Sequence, residues 1–184
     1  TSQGWGFKWV NEPVYEQTEG ASDQIKAAAE QTDTAIYVIA RNSGEGSDRS
    51  SGKGDYLLSD DERANLELLG KTFDNVVVVL NVGGIIDTKF FDKIDGLDSM
   101  LLMSQAGGDA LVEVLNGTVN PSGKLTDTWP VNFDDNPSSA GFANEDKNNA
   151  QELYNDDIFV GYRYYDTFGK DVSYEFGYGG SYTT

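Results

Sequence analysis

One acidic side chain stands out for its chemical setting. Glu45 lies between Gly44 and Gly46 in a polar loop, and Asp48 and Arg49 follow shortly after it. Because glycine has no Cβ, the backbone on either side can project this carboxyl group freely. A carboxylic acid on such a loop suits general acid/base catalysis if its surroundings raise its pKa toward neutrality. From spacing alone, an ordinary solvated loop residue is the simpler interpretation of Glu45.

The composition excludes most other catalytic groups. The 184 residues contain no cysteine and no histidine, so thiolate nucleophiles, disulfides, Ser-His-Asp triads and Cys- or His-ligated metals cannot form within the chain. We expect no metal site and no cofactor, which leaves carboxylates, Tyr, Lys or Arg for any chemistry. The net charge of −18 repels phosphates and anionic lipid and excludes nucleic acid and membrane surfaces as partners, whereas a neutral sugar is unaffected. The longest apolar run, Val76–Leu80, is too short to cross a bilayer.

The segments around the Glu45 loop predict an α/β domain. Short, β-rich apolar runs predict three strands: Thr34–Ala40, which we expect to be buried on both faces, Asn75–Val82, the clearest buried strand, and Ser99–Met103. Helix formers, capping residues and apolar spacing predict helical segments between them: 22–30, the stretch opened by the capping box Ser59–Glu62, a short amphipathic piece around Phe90, and Ala106–Leu115. Such alternation favours a mostly parallel sheet flanked by helices, an α/β sandwich, in which ligands bind beyond the carboxyl ends of the strands.

The last third of the sequence follows a different pattern. Leu125–Trp129 predicts a short extended segment, and Val131–Gln151 predicts a long polar surface loop without periodicity. Phe159–Tyr165 and Val172–Phe176 are aromatic and β-prone. Aromatic rings of this kind stack on sugar faces, but more often they pack against a neighbouring element.

Other candidate motifs have simpler explanations. The pairs Gly83-Gly84 and Gly107-Gly108 form neither GxGxxG nor a phosphate loop, which argues against a nucleotide site. The acidic run Asp60–Glu62 opens a helix, where carboxylates complement the positive end of the dipole, so capping explains it better than metal binding. Asp55 is interpreted as a surface residue rather than a ligand.

The motifs taken together resemble a known family. Arg41–Arg49 (RNSGEGSDR) resembles the acid/base segment of family 3 glycoside hydrolases, and Gly52–Glu62 (GKGDYLLSDDE) is similar to its β-glucosidase branch. Further similar segments follow in the family's order: Val76–Val82, Gln105–Gly108, Leu115–Leu125, Thr128–Pro130, Tyr154–Tyr165 and Tyr174–Thr183. The resemblance covers nearly the whole chain after about residue 20 and rests on the full set of segments.

This resemblance implies part of a retaining, exo-acting β-glucosidase. Such an enzyme hydrolyses terminal non-reducing β-D-glucosyl residues of a β-glucoside or cello-oligosaccharide. In this family a barrel domain supplies the nucleophilic Asp and most sugar contacts, and the α/β domain supplies the acid/base residue. When the family's motif is carried over to this sequence, it implies that Glu45 is the acid/base residue. Glu45 would protonate the glycosidic oxygen and then deprotonate the attacking water. Asp48 and Arg49 match the family's Asp-Arg pair, as support for the loop.

This sequence differs from the family pattern at several points, and these differences limit what the resemblance implies. The nucleophile motif is not in this chain, so the resemblance implies a family 3 barrel domain in the same or a second chain, and negligible activity without it. We expect residues 1–184 to form one C-terminal α/β sandwich domain that is incomplete at its N-terminal edge. Thr126 and Gly180 stand where the family usually has Pro and Leu. The chain starts at Thr1 rather than Met, which indicates a removed leader or a piece of a longer chain, and its location, cytoplasmic or secreted, stays open.

Two alternative hypotheses for the function of the chain remain. The chain could be a non-catalytic carbohydrate-binding or interaction module that kept the fold and lost the enzyme. A flavodoxin-like nucleotide-binding domain is more remote, because a phosphate loop is missing.

Overall fold

A parallel sheet forms the centre of the molecule. The computed structural model describes residues 21–41, 48–103, 107–144, 150–151, 154 and 156–183. In these ranges β1 (Thr34–Arg41), β2 (Asn75–Val82) and β3 (Ser99–Leu102) pair side by side in the order β1-β2-β3, with both pairings parallel. The predicted α/β class with a mostly parallel sheet flanked by helices is confirmed.

The helices alternate with the strands along the chain. They are α1 (Ala21–Ala29), α2 (Asp60–Thr72), α3 (Lys89–Lys93) and α4 (Gly107–Leu115). The prediction for α4 began at Ala106, which lies outside the described residues. No helix in the described ranges is long and apolar enough to cross a membrane.

The core lies between the sheet and the helices α2 and α3. Val76, Val78, Val79 and Leu80 of β2, the central strand of the sheet, are at most 1% exposed. Leu66 of α2, Phe90 of α3 and Trp129 join one cluster with Ile39, and Leu69 of α2 packs with Val76 in a second. Burial of such side chains contributes roughly 1.5–3 kcal/mol each. The prediction of a buried second strand is confirmed.

The first strand departs from the prediction that it is buried on both faces. Ile39 is fully buried, whereas Ile36 and Val38 on the opposite face are 53% and 51% exposed. A short apolar run signals a strand, but its composition does not encode which faces other elements cover. Within the described ranges, β1 is covered mainly on the face toward α2.

The C-terminal part contains a small antiparallel pair and a helix. β4 (Trp129–Pro130) pairs with β5 (Val172–Tyr174), and the long polar segment includes 3-10 turns at Phe133–Asp135 and Ser139–Asn144. The β-prone aromatic stretch ending at Tyr165 instead leads into α5 (Tyr162–Phe168). Tyr164 and Phe168 are four residues apart in α5 and their rings lie 5.1 Å apart. Helical ring packing of this kind, ended by Gly169 in the left-handed region at φ 60°, overrides local β propensity.

Two glycines allow α2 to pass close to the turn before β3. A Cβ added at Gly70 would collide with the carbonyl oxygen of Asp95, and Gly96 lies at φ +82° with its Cα against Gly70. We expect Gly70→Ala to lower the free energy of unfolding by about 1–3 kcal/mol through overpacking, measured by urea denaturation. Gly108→Ala is the matched control, because a Cβ there meets nothing within 4 Å and alanine favours the helix. Equal stability of the two variants would contradict this close approach.

Candidate functional site

The carboxyl ends of the first two strands form one edge of the sheet. Arg41, the last residue of β1, is in register with Val82, the last residue of β2. The segment after β1 and the segment after β2 therefore start side by side. Glu45 lies in the first of these segments but outside the described residues. The described part of the site consists of the groups that hold this segment at its two ends.

Arg41 connects the end of the strand to the far end of the loop. Its side chain is only 5% exposed. Its guanidinium donates to both carboxylate oxygens of Glu62, from Nη1 at 2.6 Å and from Nη2 at 2.7 Å. It also donates from Nε to the carbonyl oxygen of Asp55 at 2.7 Å and from Nη2 to that of Leu57 at 3.4 Å. One buried side chain thus fixes strand, loop and helix relative to each other.

The Glu62 carboxylate accepts hydrogen bonds from both Arg41 and Ser59. Its Oε2 accepts from the backbone N–H of Ser59 at 2.8 Å, while the Ser59 hydroxyl accepts from the N–H of Glu62 at 3.1 Å. This is the predicted capping box of α2, which is confirmed. Burial by itself would raise the pKa of Glu62, but the hydrogen bonds and charge of Arg41 and the Ser59 N–H outweigh it and hold the pKa below its ordinary value. Glu62 is therefore ionised in its pair with Arg41 at neutral pH.

A second ion pair shapes the middle of the loop. Nε of Arg49 donates to Oδ1 of Asp55 at 2.6 Å, and the N–H of Ser50 donates to Oδ2 of the same carboxylate at 2.5 Å. Burial opposes ionisation of Asp55, yet these donors hold its pKa below its ordinary value. The side chain of Asp55 is 26% exposed, so this residue lies partly at the surface while it connects Arg49 and Ser50 to the later part of the loop. A carboxylate five or six residues after an arginine can close a loop, but sequence does not show whether it does.

Arg49 also ties the first loop to the second. Its Nη1 donates to the carbonyl oxygen of Ile85 at 3.1 Å. A Cβ at Gly84 would lie 2.6 Å from that Nη1, so glycine leaves room for the guanidinium. This gives Gly84 a packing role at the carboxyl edge. Asp48, in contrast, is exposed and takes no part in hydrogen bonds or ion pairs with the described residues.

The acidic start of α2 behaves as a helix terminus. Asp60 is 80% exposed and pairs with Lys53 at 2.6 Å, while Glu62 is engaged by Arg41. Across the described ranges, no three His, Cys, Asp or Glu side chains come together as a metal-binding group.

A small cleft opens next to Arg49. It has a volume of about 140 Å³. Its walls come from the loop after β1, the loop after β2 and the 3-10 turns: Arg49, Ser50, Tyr56, Ile85, Phe133, Asn136, Ser138, Ser139 and Phe142. The rings of Tyr56 and Phe133 meet edge to face with centroids 5.3 Å apart. Tyr56 was not singled out from the sequence as a site residue, and only its place two residues before a buried leucine hinted at burial.

A larger depression lies at the opposite edge of the sheet. It measures about 540 Å³ and is lined by polar groups around the starts of β1 and β2, including Thr32, Asp33 and Asp74. Binding sites of doubly wound sheets lie at the carboxyl edge, which makes the region around Arg41 and Arg49 the stronger candidate.

Comparison with known proteins agrees with this geometry. The profile of the glycosyl hydrolase family 3 C-terminal domain matches residues 3–162. A β-glucosidase from Ruminococcus albus is 44% identical over 97% of this chain, and an exo-α-(1→6)-L-arabinopyranosidase from Bifidobacterium longum is 43% identical over 66% of it. The chain spans only 19% and 16% of the lengths of these two relatives.

Solved structures show the same fold. β-Glucosidase 3B from Thermotoga neapolitana in complex with glucose superimposes with a TM-score of 0.77 at 44% identity. The match covers 89% of this chain and 24% of that protein. The extent of the profile match and the shared fold lead to one conclusion: this chain belongs to glycosyl hydrolase family 3, of which it is a C-terminal domain.

Proposed function

We propose that this domain completes the active site of a retaining, exo-acting β-glucosidase and that Glu45 is its acid/base residue. The observation that carries the proposal is the pair of anchors around the loop that holds Glu45. Arg41 lies four residues before Glu45 and Arg49 four residues after it, and each is fixed by a carboxylate at 2.6 Å. A general acid must be placed within hydrogen-bond reach of the glycosidic oxygen, which a loop anchored on both sides can achieve.

The role of each residue follows from this arrangement. Glu45 protonates the leaving oxygen in the first step and deprotonates water in the second. Arg41 and Glu62 hold the ends of the loop, and Arg49 and Asp55 hold its centre, so we assign these four residues the role of positioning Glu45. We assign Asp48 the same supporting role, on the strength of the Asp-Arg motif alone.

The nucleophile belongs to a second body. In a retaining enzyme the two carboxyl groups stand about 5–5.5 Å apart, so a barrel domain of the same or another chain must dock against the carboxyl edge. The glucosyl preference rests on relatives named β-glucosidases, such as the one from Ruminococcus albus. The Bifidobacterium longum relative is named for another sugar, and the chosen sugar is therefore set mainly by the barrel domain.

The division of the site between two bodies predicts that this chain alone is inactive. We expect residues 1–184 to hydrolyse an aryl β-glucoside at no measurable rate above background, while a polypeptide that also contains the barrel domain turns it over. Circular dichroism of the isolated chain would check that it is folded. Hydrolysis by the isolated chain, lost on Glu45→Gln, would contradict a shared site, and an inactive two-domain polypeptide would favour a non-catalytic carbohydrate-binding module.

A further inference from the structure

Gly84 is a glycine that its own backbone conformation does not require. It lies in the segment that follows β2, and it is not among the glycines of the described chain that have a positive φ. Only the left-handed region of backbone conformation strongly favours glycine over other residues. The reason for a glycine at this position must therefore lie in the atoms that surround it.

The space around Gly84 is filled by one side chain. A Cβ added at this position would lie 2.6 Å from Nη1, 3.8 Å from Cζ and 3.9 Å from Cδ of Arg49. Because non-bonded heavy atoms pack at about 3.5–4.0 Å, an alanine at residue 84 and the guanidinium cannot both keep these positions. The same Nη1 donates to the carbonyl oxygen of Ile85 at 3.1 Å. The missing side chain of Gly84 thus makes room for a hydrogen bond to the next residue.

This hydrogen bond is one of two that join the loops after β1 and β2. The other is donated by the N–H of Asp87 to the carbonyl oxygen of Tyr56 at 2.8 Å. Arg49 and Tyr56 lie seven positions apart in the sequence of the first loop, so the second loop holds the first at two separate points. Loss of the Arg49 contact would leave this loop attached to its neighbour mainly at Tyr56.

Arg49, and not the backbone, would give way to a larger residue at position 84. Its guanidinium ends a flexible side chain whose Nε is held by Asp55 at 2.6 Å, so the Nη1 branch can turn away and give up its carbonyl acceptor. Gly70 provides the contrast, because a Cβ there would meet a backbone carbonyl oxygen of the turn before β3. Substitution of Gly84 should therefore displace a side chain with little stress on the fold.

We propose that Gly84 is a positioning residue for the acid/base loop. Its lack of a side chain keeps Nη1 of Arg49 on the carbonyl oxygen of Ile85, and Arg49 in turn fixes the segment that carries Glu45 four residues earlier. The inference rests on the proposed function, in which Glu45 is the general acid. A misplacement of a reacting group by about 1 Å can cost on the order of 10²-fold in rate, so a small displacement of this loop is enough to affect catalysis.

Gly84→Ala in the two-domain polypeptide tests this role. We expect kcat/KM for cellobiose to fall about 10- to 100-fold, and kcat/KM for an activated aryl glucoside to fall far less, because a poor leaving group depends most on the acid. The midpoint of urea denaturation should stay close to that of the unaltered protein. Gly70→Ala should do the reverse, with a lower midpoint and an unchanged ratio of the two kcat/KM values. An unchanged ratio in Gly84→Ala would overturn the proposal.

A double-mutant comparison tests whether Gly84 acts through Arg49. Arg49→Lys keeps a cation for Asp55 but lacks the Nη1 branch, so it should lower the ratio by itself and leave nothing for an alanine at residue 84 to displace. Gly84→Ala should therefore have little further effect on the ratio in the Arg49→Lys background, since two changes to one contact are not additive. A loss of the same size in both backgrounds would show that residue 84 acts independently of Arg49, contrary to the proposal.

Amide hydrogen exchange separates this inference from the proposed function. If Glu45→Gln leaves the leaving-group dependence unaltered, the proposed acid role fails, and exchange still tests the contact made by Gly84. The N–H of Ser50 donates to the Asp55 carboxylate, and loss of the bond to the second loop should let this unit open more often. We expect faster exchange of this amide in Gly84→Ala than in Gly108→Ala, whose added Cβ meets nothing within 4 Å. Equal exchange rates, measured by mass spectrometry on peptides of this loop, would refute the coupling between the two loops.

Discussion

Replacing Glu45 by Gln in the two-domain polypeptide is expected to slow hydrolysis of cellobiose by about 10²–10⁴-fold, the usual contribution of general acid catalysis. Glutamine cannot protonate the glycosidic oxygen, so a poor leaving group departs without help. A nitrophenolate leaving group needs little protonation. The rate of the first step with an activated aryl glucoside should therefore fall far less in Glu45→Gln than the rate with cellobiose. The measurement is kcat/KM for a series of β-glucosides with graded leaving-group pKa values, where the variant should show a much steeper dependence.

A matched substitution provides the control. Glu67→Gln makes the same chemical change on the exposed face of α2, where it should leave the leaving-group dependence unaltered. Equal losses on cellobiose and on activated aryl glucosides in Glu45→Gln would remove the acid role from this residue. Added azide offers a second readout, because this anion attacks the glycosyl-enzyme intermediate without help from a general base, releases the sugar as a glycosyl azide and so restores turnover of the aryl substrate.

Loss of Arg41 should have the largest effect on stability. Arg41→Ala leaves the carboxylate of Glu62 buried without its bidentate partner and removes two hydrogen bonds to the loop backbone. Breaking a buried ion pair in this way costs about 3–5 kcal/mol. We expect a loss of that size in the free energy of unfolding, measured by urea denaturation, together with reduced kcat for glycoside hydrolysis.

The exposed pair nearby is the control for this experiment. Lys53 and Asp60 lie 2.6 Å apart, as close as Arg41 and Glu62, but their side chains are 64% and 80% exposed. Lys53→Ala should therefore change stability by about 0–1 kcal/mol. If the two variants lose the same amount, burial of Arg41 is not what gives the anchor its strength.

The same anchor predicts a pH dependence. The pKa of Glu62 is lower in the folded protein than its ordinary value of 4.5. A group with a lowered folded pKa stabilises the protein above its unfolded pKa, and this contribution is lost as the pH falls through the folded pKa. The stability difference between the unaltered protein and Glu62→Gln should be full near pH 7 and shrink below about pH 4.5. A difference that stays constant down to pH 3 would contradict the ionised pair.

The site illustrates how far sequence reasoning reaches. The Ser59–Glu62 capping box is a local pattern, and the structure has it as predicted. The partnership of Glu62 with Arg41 joins residues 21 positions apart, and no local pattern encodes which of many carboxylates a buried arginine selects. An arginine that ends an apolar strand does signal a need for a partner, because a buried charge must be compensated. Which carboxylate becomes the partner depends on how α2 packs against β1.

The order of strands and helices, the parallel sheet and the family were readable from the sequence, because apolar periodicity, caps and motifs are properties of neighbouring residues. Tertiary structure alone decided that β1 exposes Ile36 and Val38, that aromatic residues after Gly161 form a helix, and that Asp55 is held by Arg49. It also brought Arg49 and Tyr56 together around one cleft. Each of these features depends on contacts between segments distant in the chain, and the free energy of such contacts outweighs local preference.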